Sequence, residues 1–283
     1  MKKFYLILAA AAAMSLNAQA QTLGTVEVGD YNNPTEIYNA SYFDIAPTNF
    51  YLAHTGAQLL YTVDELADMQ DKKDVEINRI SFKFRNDDCF EDINREVMIY
   101  MEAIDATEFA VNDQGVKQFF TFDNLVYNGS ESIAMLDLYG EDVELDFELA
   151  EPFAMQAGKT LLVTIVFDAF DDENCSYGSD AAPFYTSGIR KKAMVYTDNY
   201  ESFLQYAQGN DFPDATAMLG CGTSAELPVT LFDYTYGGGN TAVQEVKAAV
   251  EDGVYYNLMG QKMNAGNLPA GIYIHNGKKV MVK

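Results

Sequence analysis

The sequence predicts an all-β fold: an antiparallel, jelly-roll-like β-sandwich with one short helix, followed by a small three-stranded β tail at the C-terminus. Three observations predict it. Apolar residues recur at every second position through much of the chain, the period of a strand with one buried and one wet face. Gly, Asn and Asp gather between those stretches as turns. Only one segment carries a clear helix start. Many short strands without intervening helices favour two packed antiparallel sheets over a βαβ fold.

The chain has 283 residues, and residues 1–20 stand apart from the rest. Lys2 and Lys3 precede an apolar run from Phe4 to Leu16, and Ala18-Gln19-Ala20 is a small-x-small cleavage site. This is the pattern of a secretory signal peptide, with Gln21 as the first mature residue. A transmembrane anchor needs about 20 apolar residues, so no membrane span is expected. The first cysteine is Cys89, far from the cleavage site, so lipid attachment at the new N-terminus is not expected.

Residues 21–236 are the expected sandwich. Strands are expected at 23–28, 118–127, 193–197 and 228–236. Ile80, Phe82 and Phe84 alternate with Ser81, Lys83 and Arg85. Val97, Ile99 and Met101 alternate with Met98, Tyr100 and Glu102. Val143, Leu145, Phe147 and Leu149 point one way, while Glu144, Asp146 and Glu148 point the other. Residues 160–168, TLLVTIVFD, are apolar on both faces and read as a central strand. Thr62-Val63-Asp64-Glu65 is a capping box with Tyr61 and Leu66 at the staple positions, which predicts a helix over 63–70.

Gly237-Gly238-Gly239-Asn240 opens a flexible linker over 237–243, and residues 244–283 form the tail. Asn276-Gly277 between GIYIH and KKVMV predicts a type I′ hairpin, because both turn residues accept positive φ. That register sets Tyr273 opposite Val280 and Ile272 opposite Met281. Residues 254–259 supply the third strand. So small a sheet cannot bury a sufficient core alone.

Charge is lopsided, with 42 acidic against 18 basic residues and a net of −24. The signal peptide and the tail each carry +2, so residues 21–243 carry −28. A body with that field repels nucleic acid and anionic membrane surfaces. Asp168, Asp171, Asp172, Glu173, Asn174 and Asp180 crowd one loop, and oxygen-rich loops of β-sandwiches suit Ca²⁺. Asp168, Asp171, Asp172, Asn174 and Asp180 are the candidate ligands, against the plainer reading of a solvated acidic loop. Asp87, Asp88, Glu91 and Asp92 form a second acidic loop. A Cys89–Cys175 disulfide would bring the two loops together in an oxidising compartment and leave Cys221 free.

Catalytic patterns are weak. No nucleophile elbow and no HExxH occurs, and His54 reads as a hydrogen-bonded structural residue. Acidic pairs are plentiful enough that glycoside hydrolysis stays open by residue type. Tyr31, Tyr38, Tyr42, Tyr51, Tyr177 and Tyr185 lie in polar, loop-like stretches and are the candidates for a sugar-binding face, against the favoured reading that most of them pack on or near the core.

The tail resembles the C-terminal sorting domains read by the type IX secretion system of Gram-negative bacteria. The matching residues are Tyr255-Tyr256-Asn257-Leu258-Met259-Gly260-Gln261, then Leu268 to Tyr273, then a Lys-rich closing strand ending at Lys283. The resemblance implies passage across the outer membrane through that machinery as partner, with the outer surface or the medium as destination and the periplasm as the fallback. The body resembles, more loosely, β-sandwich modules of surface and secreted proteins of the same bacteria. Gln58 to Leu66, Ile77 to Phe84, Val97 to Met101, Leu125 to Gly129, Pro152-Phe153 and Leu161 to Val163 carry that likeness. It implies an adhesive or carbohydrate-binding module with carbohydrate or host and surface protein as ligand, and no transferable catalytic residues. A structural subunit of a surface layer and a glycoside hydrolase are the alternatives.

Overall fold

The computed structural model describes residues 21–34, 46–50, 52–86, 93–113, 115, 117–133, 135–169, 184–198, 202–205, 226–237, 254–256, 262–264, 271–275 and 278–282. The chain divides into two compact units, residues 1–239 and 240–283.

In the first unit the described strands are β1 (Gln21–Val28), β2 (His54–Tyr61), β3 (Lys73–Arg85), β4 (Ile93–Ile104), β5 (Leu125–Ile133), β6 (Asp142–Met155), β7 (Thr160–Ala169), β8 (Ala193–Asp198) and β9 (Thr230–Gly237). One sheet runs β1-β9-β3-β6 and the other β5-β4-β7-β2-β8, with every pairing antiparallel. The chain crosses between sheets at each step from β1 to β4, again from β5 to β6 and β6 to β7, and last into β9. With β8 as an added edge strand, this is the jelly-roll wind.

Alternation sets which side chains meet between the sheets. Val143, Leu145 and Phe147 of β6 are buried while their acidic neighbours face out. Phe147 lies 6.2 Å from Phe167 of the opposite sheet, ring to ring. Tyr61 meets Phe232 edge-on at 4.9 Å, and its hydroxyl lies 2.8 Å from the Thr230 hydroxyl. Strand β7, expected to be central, lies between β4 and β2 and is buried along almost all its length.

In this unit two expectations need correction, and one strand is added to those expected. The strand expected over 118–127 begins at Leu125 and runs to Ile133. Residues 118–124 instead cross the outer face of the five-stranded sheet, where Phe119 and Phe122 are buried. The helix expected over 63–70 narrows to α1 (Ala67–Gln70), with turns from Val63 to Leu66. The capping carboxylate does bind back, since Thr62 N–H donates to Glu65 Oε2 at 2.7 Å. However, the Thr62 hydroxyl also donates to that carboxylate instead of accepting a backbone N–H. One oxygen thus takes both donors, and the first turn is left without a side-chain cap. Strand β2 is absent from the periodicity reading, because Thr55, Gly56 and Gln58 break the apolar pattern although all three are buried.

The second unit is one sheet in the order β11-β10-β12-β13, from β10 (Val254–Tyr256), β11 (Lys262–Asn264), β12 (Gly271–His275) and β13 (Lys278–Val282). The expected hairpin register holds, with Ile272 opposite Met281 and Tyr273 opposite Val280. The expected three strands become four, because β11 pairs with the free edge of β10. Among the described residues no helix is long and apolar enough to cross a membrane.

Candidate functional site

Both sheets of the first unit present an outer face, and the two are built differently. On the five-stranded sheet the even-numbered residues Leu60, Leu162, Val166, Met194 and Tyr196 face away from the sandwich core and yet are buried. Apolar residues on an outer face need a cover. The connection between β4 and β5 supplies it as a strap, with Phe109, Phe119 and Phe122 packed on the sheet. Phe203 completes the cover, 5.3 Å from Phe122 and 5.0 Å from Tyr196. Gly56 of β2 lets this ring approach, since a β-carbon there would sit 2.6 Å from the Phe203 ring.

Three polar anchors hold the cover. At the centre, buried Gln58 binds Phe120 by both ends: Nε2 donates to the Phe120 carbonyl and Oε1 accepts the Phe120 N–H, each at 2.7 Å. Its Nε2 also donates to the Thr164 hydroxyl at 3.1 Å. At one end, Glu102 Oε1 accepts the N–H groups of Asp123 and Asn124 at 3.1 and 3.3 Å. Its Oε2 is buried and has no hydrogen-bond partner among the described residues. Burial is the main cause that pushes this carboxyl up to about 7, with the two backbone N–H groups opposing and Asp123 adding to the rise.

At the other end lies Asp168, one of the five candidate calcium ligands. His54 Nδ1 lies 2.9 Å from its Oδ1, and the Ser202 hydroxyl donates to its Oδ2 at 2.5 Å. Both oxygens are thus engaged within the protein, and His54 is the hydrogen-bonded structural residue expected. Ser, His and Asp are together here in the wrong order for nucleophile activation. The carboxylate stands between the other two, whereas a triad needs the imidazole in the middle. Asp171, Asp172, Asn174 and Asp180 lie outside the described residues, as do Glu173, Asp87, Asp88, Glu91, Asp92 and the three cysteines. Arg95 of β4 pairs with Ala169 of β7. Arg95 is buried and donates to the carbonyls of Phe50 and Leu52 at 3.2 and 3.4 Å, tying down the segment before β2. Among the described residues no group of three His, Cys, Asp or Glu is placed to hold a metal ion.

The four-stranded sheet carries a charged outer face. Arg79 bridges Asp146 and Asp233, Lys83 pairs with Glu144 at 3.0 Å, and Arg85 lies 3.5 Å from Asp142. Tyr31 and Tyr185, two of the candidate surface tyrosines, are buried on this face at 4% and 5% exposure, in line with the core-packing reading. Lys83 Nζ sits 4.4 Å from the Tyr31 ring centre and donates to its carbonyl at 2.9 Å. Tyr185 donates to Asp142 at 2.6 Å. Burial raises the Tyr31 hydroxyl most, and Glu144 and Asp146 push it the same way. Ser81, which would oppose them, donates to Asp146 instead, and among the described residues the Tyr31 hydroxyl has no hydrogen-bond partner. Tyr38, Tyr42, Tyr51 and Tyr177 lie outside the described residues.

Sequence reasoning missed Gln58, Arg95, Glu102 and Ser202 as structural anchors. The available signal was polarity inside apolar runs, most clearly Gln58 between Ala57 and Leu59.

No protein-family model matches the sequence, and no curated protein does. Among solved structures the chain has a likeness to the cysteine protease and lectin-like domains of Cwp84, a surface layer associated protein of Clostridium difficile, at 10% identity and a TM-score of 0.31. The likeness covers 65% of this chain and 32% of that one, so this chain spans about a third of its length.

Proposed function

We propose that this chain is an exported, non-enzymatic binding module of adhesin type, sent to the outer surface or the medium by its signal peptide and its type IX-like tail. Carbohydrate or a surface protein is its ligand. One observation carries the reading: the chain divides into a jelly-roll body and a separate small sheet at the C-terminus. The hairpin of that sheet has the register that the Asn276-Gly277 turn predicts. Jelly rolls are a common scaffold for lectin domains, which supports the ligand class by analogy of fold alone. The Asp168-centred trio supports a fixed structural use of the chain's most enzyme-like residues.

Two measurements test the two halves. The mature protein, screened against glycan arrays and host surface proteins, is expected to bind a defined subset; uniformly negative screens refute the binding module. In a type IX-competent bacterium the full chain is expected at the surface or in the medium, and a version ending at residue 243 is expected to stay in the periplasm. Equal export of both refutes the sorting tail.

A further inference from the structure

The strap returns to β5 through residues 118–124, and contacts of two kinds hold that return. Gln58 holds Phe120 through a neutral amide, with both bonds at 2.7 Å. Asn124 is tied to Met101 by neutral groups as well. Its carbonyl accepts the Met101 N–H at 3.1 Å, and its Nδ2 donates to the Met101 carbonyl at 2.8 Å. None of these groups titrates, so both ends of the stretch stay tied whatever the pH. Between them lie Thr121, Phe122 and Asp123. Phe122 is buried, its ring 4.9 Å from Tyr100 and 5.3 Å from Phe203. The link that can titrate is Glu102. It holds the Asp123 and Asn124 N–H groups with one oxygen, Oε1, at 3.1 and 3.3 Å.

An ionised carboxylate carries charge on both oxygens. Here Oε2 is buried with no hydrogen-bond partner among the described residues, and a buried charged atom without a donor is costly. The groups that face Glu102 do not offset that charge. Asp123 faces it from the strap and Tyr100 from β4 itself, while β7 sets uncharged Leu162 opposite. We propose that Glu102 is a proton-operated clasp on the strap: protonated, it keeps Thr121, Phe122 and Asp123 seated, and ionised, it lets them lift so that water reaches Oε2 and the sheet under Phe122 is uncovered. Burial pushes the seated carboxyl up to about 7, and lifting returns it towards the ordinary 4.5. The seating is therefore strongest below pH 4.5 and is lost progressively as the pH rises to about 7. The device is independent of which ligand the body binds.

Hydrogen exchange of the full mature chain, read by NMR from pH 5 to pH 8 and corrected for the base-catalysed rate, tests the clasp. Protection of the Asp123 amide should fall about tenfold over that range, the linkage effect of a raised carboxyl after allowance for its partial exposure. The Phe120 amide, held by Gln58, should remain the better protected of the two at pH 8. Glu102→Gln keeps an acceptor and cannot ionise, so this variant should lose most of the fall. Constant Asp123 protection in the unaltered chain, equal exchange of Asp123 and Phe120 at pH 8, or the same fall in folded Glu102→Gln each overturns the proposal. The first two readings need only the unaltered chain and decide the matter if the variant does not fold.

Discussion

Replacing Glu102 with glutamine should make the protein more stable at pH 8 and leave its stability at pH 4 nearly unchanged. Burial holds the Glu102 carboxyl at about 7 in the folded chain, against 4.5 for an ordinary glutamate. Between those values the folded chain holds a proton that the unfolded chain has released. Stability therefore falls as pH rises through this window, because unfolding lets the carboxylate ionise in water. The rise from 4.5 to about 7 corresponds to about 3.4 kcal/mol. The side chain is only half-buried, and solvent screening reduces this to about 1–2 kcal/mol. Glutamine keeps an oxygen for the Asp123 and Asn124 N–H groups and does not ionise. In a domain of this size the gain at pH 8 is about 2–8 °C in Tm. Urea or thermal unfolding of parent and variant from pH 4 to pH 8 measures it, and the difference between the two curves isolates Glu102 from the other carboxylates. Parallel curves across that range would show that Glu102 titrates as an exposed glutamate, and the account of its burial would be wrong.

Four further outcomes follow from the same contacts. Gln58→Leu should cost about 2–4 kcal/mol, because it strands the Phe120 N–H and carbonyl under the strap; hydrogen exchange at the Phe120 amide should rise, and unchanged protection would show that the anchor is dispensable. Gly56→Ala should lower stability by about 1–3 kcal/mol, since the added methyl meets the Phe203 ring, read as a fall in urea midpoint. Ser202→Ala should cost about 1 kcal/mol through the lost hydrogen bond to Asp168, and a fluorophosphonate probe should leave Ser202 unlabelled; labelling would mean that the trio can activate the hydroxyl. Tyr273→Ala should loosen the C-terminal sheet, where Tyr273 is 6% exposed, and limited trypsin digestion should then release the tail faster than from the parent.

Periodicity made the sandwich legible because it reports which face of a strand is buried. Val143 to Leu149 and the two-faced run at 160–168 needed nothing else. It does not report why a face is buried. Met98 and Tyr100 alternate with core residues and look solvent-facing in sequence, but they pack under the strap. Phe119 and Phe122 look like a strand and are its cover. Partnership is still less legible. Asp168 stands beside four other acids in sequence and reads as a loop ligand. Its observed partners are His54, 114 positions away, and Ser202, 34 positions away. No local window contains that information. The tail was easier, since a two-residue turn fixes the whole register of its hairpin, while β11 escaped notice because three residues are too few to show a period.

The two outer faces differ in a way that bears on where a ligand can meet the body. An open apolar face invites aggregation, and the strap with its Gln58, Glu102 and Asp168 anchors removes that hazard on the five-stranded sheet. On the other sheet Arg79, Lys83 and Arg85 are committed to neighbouring carboxylates. Recruiting either face would break contacts already made, by unseating aromatic rings in one case and by separating ion pairs in the other.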